Sequence, residues 1–324
     1  MIQRILSGIQ PTSQLHIGNY LGALKQWIEL QNQYESYFCI VDLHAITIPY
    51  DPKKLPQYIL DTAMDYLASG IDPKKSVIFI QSHLPEHSEL MWLLSTVTPI
   101  TELQRMTQFK EKSTKHQKNI NTGLLNYPVL QAADILLYKP VAVPVGEDQV
   151  QHVELTRAIA RKFNNKFGQV FTEPKAKITA AKRIMSLTDP TRKMSKTDGN
   201  HTYIALNDSP EIIKSKINKA VTATSGGGNN PGVQNLLLLA KEFSAPHTAN
   251  KFEIEEKAGT IKYSELKEQL AKDIADHFTS FRKKRAALEK QPEKVKKILT
   301  DGAVKAKKIA AATLKEVKEK MGLV

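Results

Sequence analysis

Two lysines flank a serine at Lys193-Met194-Ser195-Lys196-Thr197, and the turn formers Asp198, Gly199 and Asn200 follow. Point charges on a mobile loop suit a polyphosphate leaving group, whose negative charge builds as it departs. Near the other end of the chain, residues 7–22 read SGIQPTSQLHIGNYLG. Here His16 and Asn19 carry donors that suit phosphate oxygens, and Gly18 removes a side chain where a flat base or ribose could approach the backbone. A lone H-x-G-N reads better as a capped helix packed on a sheet, because short motifs recur by chance. The two motifs in this order are far more specific than either half.

A third constellation is a stripe. Tyr127, Gln131 and Asp134 are spaced i, i+4 and i+7 on a helix otherwise built of Leu130, Ala132, Ala133, Ile135, Leu136 and Leu137. Polar groups on an apolar helix need partners. An internal hydrogen-bond network would supply them, and so would a buried ligand whose donor meets Asp134. In Gly146-Glu147-Asp148-Gln149, the glycine admits a ribose and Asp148 can accept from its hydroxyls. On its own the same run is an ordinary acidic first turn, stabilised by the helix dipole.

These groups need a frame that holds them. A short strand at Ile5 and Leu6 turns through Pro11, Thr12 and Ser13 into a helix from Ile17 to about Tyr34, whose free N–H groups form a ready phosphate cradle. Residues 37–43, 76–80 and 141–145 read as buried strands, and 51–70, 85–95, 101–112 and 127–138 as helices, with another following Gln149. His44 and Gln81 then fall at carboxyl ends of strands. Alternating strands and helices imply a parallel sheet that binds ligands at those ends. The expected fold is α/β, a Rossmann-like doubly wound parallel sheet over residues 1–200, with an α-helical C-terminal domain over 201–324. In the latter, residues 225–232 are loop, Ser264 caps a helix carrying Leu266, Leu270, Ile274, Phe278 and Phe281, and a terminal helix carries Ala310, Leu314, Val317 and Met321.

The 324 residues suggest two domains, and 41% hydrophobic content is ample for their cores. Forty-six basic residues against 33 acidic ones give a formal charge of +13, which permits a polyanionic partner. The basic runs at 282–285 and 294–297 are a solvated face or an RNA-backbone contact. The one cysteine, Cys39, lies in an apolar run, forms no internal disulfide and fits a reducing cytoplasm. No signal peptide and no membrane span are expected, so the chain is placed in the cytoplasm. Of nine histidines, only His83 and His87 share an i, i+4 spacing, with no thiol beside them, so no metal site is expected.

HIGN and KMSKT resemble the HIGH and KMSKS motifs of class I aminoacyl-tRNA synthetases. The wider runs SGIQPTSQLHIGNYLGA, AADILLY and VPVGEDQ are most similar to the tryptophanyl-tRNA synthetase family, over nearly the whole chain. The resemblance implies a two-step acyl transfer. The carboxylate of L-tryptophan attacks the α-phosphate of ATP, releasing pyrophosphate, and tRNA(Trp) then takes the acyl group, with Mg2+ carried on the phosphates. The nucleotide would meet Gln10, Pro11, Thr12, Gly18, Asn19, Gly146, Glu147, Asp148, the backbone of Ile184, and Lys193, Met194, Ser195, Lys196 and Thr197. Catalysis would fall to Lys193, Ser195, Lys196, Asn19 and His16, with Lys112 a further phosphate contact. Tryptophan would sit among Leu6, His44, Tyr127, Gln131, Asp134, Val143, Val145 and Gln149. In that family the matching aspartate accepts the indole N–H and the matching tyrosine helps hold the amino group. The resemblance also implies a homodimer and contact of the helical domain with the anticodon.

Two positions depart from the family pattern: Gln131 stands where many relatives have methionine, and Leu6 where they have a bulkier aromatic. The Y-x-x-x-Q-x-x-D stripe resembles tyrosyl-tRNA synthetases, which are the alternative. KMSKT with its methionine, HIGN, AADILLY and VPVGEDQ stand against that alternative. A non-catalytic RNA-binding paralogue would be marked by loss of a loop lysine or of Gly18, and all are present. Another nucleotidyltransferase of this fold would not need the basic helical tail.

Overall fold

Short apolar runs separated by helices leave a chain few ways to pair its strands. Parallel pairing, with crossover helices on the faces of the sheet, is the usual solution. The structure is a computed structural model that describes residues 3–115, 120–178, 183–196, 199–223 and 228–323, and only the backbone of Lys112 and Lys115. Thr197, Asp198, residues 225–227 of the glycine-rich loop and the Lys112 side chain lie outside the described residues. The chain forms two compact units. One comprises Met1–Ser13, Ala23–Ala180 and Leu288–Val324; the other comprises Gln14–Gly22 and Ala181–Ala287.

The first unit carries a parallel sheet of β1 (Arg4–Ile9), β2 (Glu35–Ile40), β3 (Ser76–Ile80), β4 (Ala142–Val145) and β5 (Lys175–Ile178), in the spatial order β3-β2-β1-β4-β5. Ser7 lies opposite Phe38, Phe38 opposite Ile78, and Val143 opposite Ala176. Strand order reverses between β1 and β4, so the crevice of this doubly wound sheet opens where those two strands end. That places Gln10 beyond β1 and Gly146 beyond β4. β5 was not expected from the sequence: Lys175-Ala176-Lys177-Ile178 lacks an apolar run because it is an edge strand, where lysines are well tolerated. The strand expected to reach Leu43 stops at Ile40, and a short helix, Asp42–Ala45, follows.

Trp27 stacks on Phe38 with ring centroids 4.6 Å apart and meets the edge of Tyr66. The Tyr66 hydroxyl accepts from Ile9 N and donates to the Cys39 carbonyl, which ties the ends of β1 and β2 together. Helices Leu55–Ser69, Glu86–Ser95, Thr122–Leu137 and Val150–Phe167 belong to this unit. The first of them ends at Gly70 with φ 113°, a left-handed cap that favours glycine. The helix expected over 101–112 is two helices, Ile100–Gln104 and Thr107–Lys115.

The terminal helix, Pro292–Met321, buries Val295, Leu299, Ala306, Ala310, Leu314 and Val317. Gly302 lets it approach β3 so closely that a Cβ there would lie 1.9 Å from the Ile78 carbonyl oxygen. Lys139–Glu316 and Lys318–Glu89 ion pairs add to this attachment. The compact units therefore divide the chain differently from the expected boundary at residue 200. The last helix packs on the sheet because its small-residue face fits there.

In the second unit, helices Pro210–Asn218, Pro231–Phe243 and Pro246–Lys257 each begin with proline at the first helical position, where its missing N–H costs nothing. Helices Tyr263–His277 and Thr279–Glu289 follow. Ser264 is not the cap: the helix starts one residue earlier, with Lys262 at the cap position. Leu266, Leu270, Ile274, Phe278 and Phe281 are buried as their spacing implies, although Phe278 falls at the junction of two helices.

Candidate functional site

The HIGN turn and the lysine loop, separated by about 175 residues of sequence, belong to the same compact unit. Residues 15–17 pair with 204–206: Ile17 N donates to the Ile204 carbonyl and Leu206 N to the Leu15 carbonyl, with His16 bridged to Ala205. The turn bearing Ala205 is braced by Asp208, which accepts from Ala205 N and pairs with the buried Lys216 at 2.6 Å. The lysine loop hangs from a second bridge, Met185 to Lys193, with Met194 N donating to the Ile184 carbonyl at 2.9 Å. Asn235 holds both N–H and carbonyl of Met185, and Thr202 Oγ1 donates to the Ser195 and Gly199 carbonyls.

The helix start does not offer the expected backbone cradle. Ile17 N is used by Ile204, Gly18 N donates to His16 Nδ1 at 3.0 Å, and Asn19 N donates to the His16 carbonyl. His16 N in turn donates to Asn19 Oδ1 at 3.1 Å, which completes a capping box. What remains for an anion is therefore side-chain chemistry. Because Nδ1 accepts, the neutral imidazole carries its proton on Nε2 and donates from there. Burial, then the charges of Lys196 and Lys193, lower the His16 pKa to about 3, so the ring is neutral at physiological pH. Gly18 is needed first for this ring: a Cβ there would lie 2.8 Å from His16 Cε1. Lys193 is exposed, Lys196 and Ser195 are half-buried, and Met194 and Ile184 are buried. A π-helical turn, Tyr20–Leu24, interrupts the expected long helix directly after Asn19.

The other predicted residues gather in the sheet unit. Leu6 of β1 and Val143 and Val145 of β4 share one apolar cluster with the Thr122–Leu137 helix. Beyond β4, Gly146 leads into the Glu147–Gln149 turn, with Gln149 N donating to the Gly146 carbonyl. A Cβ on Gly146 would lie 2.9 Å from Asp148 Oδ1. Gln149 Nε2 donates to Asp148 at 3.2 Å, and its Oε1 accepts from Gln131 at 3.4 Å, so the helix stripe and this turn are linked. Gln10 and Pro11 follow β1, and Thr12 N donates to the Gln10 carbonyl; the Thr12 and Glu147 side chains are exposed.

The stripe ends in a dense polar knot. Asp134, 3% exposed, accepts from His44 Nε2 at 2.7 Å, from Gln81 Nε2 at 2.7 and 2.8 Å, and from His87 Nδ1 at 2.7 Å. Burial would raise its pKa, but the hydrogen bonds from His44 and His87 outweigh burial and hold the carboxyl well below its usual range. Tyr127 donates to or accepts from His152 Nε2 at 3.0 Å, and burial pushes its hydroxyl pKa up. Sequence reasoning placed His44 and Gln81 at strand ends but assigned no role to His87 or His152. Each is a histidine on an otherwise apolar helix face, a signal readable only beside the polar stripe it meets. Among the described residues no group of three His, Cys, Asp or Glu side chains is arranged to hold a metal ion, and no helix is long and apolar enough to cross a membrane.

The family model described as tRNA synthetases class I (W and Y) matches residues 3–279. The tryptophan–tRNA ligase of Caldanaerobacter subterraneus subsp. tengcongensis is 46% identical over 333 residues, covering 100% of this chain and 99% of that protein. Among solved structures, the tryptophanyl-tRNA synthetase of Campylobacter jejuni complexed with ADP and tryptophan is similar with TM-score 0.86 and 37% identity, covering 99% of this chain and 100% of that one. The enzyme of Mycoplasma pneumoniae gives TM-score 0.88 and 36% identity, with 100% and 99% covered.

Proposed function

The chain belongs to the class I tRNA synthetases of the tryptophan and tyrosine group, on the tryptophanyl side, and from that premise we propose that it ligates L-tryptophan to tRNA(Trp). The tryptophan carboxylate attacks the α-phosphate of ATP, the bond to pyrophosphate breaks, and the terminal ribose of the tRNA then takes the acyl group from the adenylate. Transfer at phosphorus asks the protein mainly to position and to neutralise. His16, Asn19, Lys193, Ser195 and Lys196 suit that task, since all project donors from one compact unit. The observation that carries the reading is the neutral His16 beside two lysines: it donates from Nε2 without changing charge, while the lysines meet the charge that leaves.

Asp134 is the acceptor for the indole N–H, and Leu6, Val143 and Val145 bound the apolar remainder of the ring. Gln149 and Tyr127 hold the amino acid end, and Gly146 and Asp148 the ribose. Phenylalanine has no ring N–H to offer Asp134 in exchange for the His44 bond, and the shape of the pocket must reject tyrosine. Magnesium would accompany the ATP phosphates, whose charge it neutralises. The enzyme acts in the cytoplasm as a homodimer, and its basic helices meet the tRNA backbone.

Pyrophosphate exchange with tryptophan and tyrosine, each alone, tests the reading. Exchange with tryptophan only is expected. Exchange with tyrosine would favour the alternative carried by the Tyr127, Gln131 and Asp134 stripe, and no exchange with either would favour a non-catalytic paralogue.

A further inference from the structure

A carboxylate offers about four acceptor positions, and every one of those on Asp134 is used. Gln81 spans both oxygens with one nitrogen, His87 takes Oδ1 and His44 takes Oδ2. The Gln81 amide cannot turn over, because its Oε1 accepts from Leu43 N at 3.1 Å. His87 is equally fixed. Its Nδ1 faces an oxygen that can only accept, so the proton is on Nδ1, and Nε2 lies 3.0 Å from the Tyr138 hydroxyl. Burial raises the pKa of Tyr138 well above the usual phenol range, so that hydroxyl keeps its proton and pairs with Nε2. A hydrogen-bonded chain therefore runs from Tyr138 through His87 to Asp134. Gln81 and His87 are both 0% exposed, and the His87 ring packs against Phe79 and Tyr138. His44 stands apart from them, on a helix of four residues at the end of β2.

We propose that Gln81 and His87, the latter backed by Tyr138, are positioning residues that hold the Asp134 carboxylate in one plane toward the indole N–H of tryptophan. The place that N–H takes is the one His44 fills on Oδ2. This rests on the reading of Asp134 as the indole acceptor. None of the three touches the ligand; they act by fixing the direction in which the carboxylate accepts. The bonds from Gln81 and His87 also offset the burial that would otherwise favour a neutral carboxyl.

The test compares tryptophan with its benzothiophene analogue, in which sulfur replaces the N–H at similar shape, by pyrophosphate exchange on the full-length protein. The wild type should prefer tryptophan in kcat/KM. In His87→Ala that preference should fall about 10- to 100-fold through the KM for tryptophan, the cost of a misaligned bond to a charged group, with the analogue and ATP little affected. His87→Asn places an amide N–H close to where Nδ1 was and should restore most of the preference. Tyr138→Phe, a milder change in the core, should lower the preference about 5-fold. Equal losses for tryptophan and analogue in these variants, or an unchanged preference, would overturn the proposal. A wild type that does not distinguish the two would overturn the Asp134 reading itself, and the proposal with it.

Discussion

Replacing His16 by asparagine separates the two jobs of that ring. The imidazole caps its helix through Nδ1 and presents a donor at Nε2. Its pKa falls from 6.5 to about 3 on folding, chiefly through burial and then through Lys196 and Lys193. The unfolded chain therefore takes up a proton below pH 6.5 that the folded chain refuses until about pH 3. Stability from this site is complete above pH 6.5 and is lost as the pH falls toward 3. Each pH unit in that window is worth about 1.4 kcal/mol, so acidification from pH 7 to 4.5 costs the wild type about 3 kcal/mol through this group alone. Asparagine keeps the cap, since its Oδ1 can accept from Gly18 N, but it does not titrate. Urea unfolding of wild type and His16→Asn at pH 7 and 4.5 should thus show the wild type losing about 3 kcal/mol more. His16→Gln does the reverse, carrying a donor near the Nε2 position without the cap. Adenylate formation should fall about 100-fold in His16→Asn and less in His16→Gln. Parallel pH dependence of stability in wild type and His16→Asn would refute the buried neutral imidazole.

Lys196→Ala should slow tryptophan-dependent adenylate formation about 100-fold in single-turnover assays, with the KM for tryptophan little changed, because the charge it meets appears only as pyrophosphate leaves. Gly302→Ala should destabilise the sheet unit by about 2–4 kcal/mol in urea unfolding, since the Ile78 backbone cannot yield to the new Cβ; an unchanged midpoint would disprove the close approach. Lys294, Lys305 and Lys308 are exposed on the outer face of the terminal helix, away from its buried stripe. Changing all three to glutamate should weaken tRNA binding and flatten its dependence on salt while pyrophosphate exchange is unaffected, and an unchanged salt slope would remove this face from the RNA contact.

Asp134 was legible as a polar residue on an apolar helix, because that pattern is local and periodic. Its partners were not, since Gln81 and His87 come from a strand end and a helix some 50 residues earlier and meet it only in the folded core. β5 was missed because an edge strand needs no apolar run. The long first helix was overextended: the spacing of Leu21, Leu24 and Ile28 does not reveal the π-helical turn at Tyr20–Leu24.

The sequence by itself determined the alternation of strands and helices that implies a parallel sheet, the HIGN and KMSKT motifs, and the family they mark. Those features depend on residues near each other in the chain or on fixed motif spacing. Only the tertiary structure decided that the terminal helix belongs to the sheet, through a glycine that no Cβ could replace beside Ile78. It alone decided that the backbone N–H groups after His16 are already used within the fold. The proton on His16 and the charge held on Asp134 were also beyond the sequence. Burial and neighbouring donors set them, and both arise only when distant segments pack together.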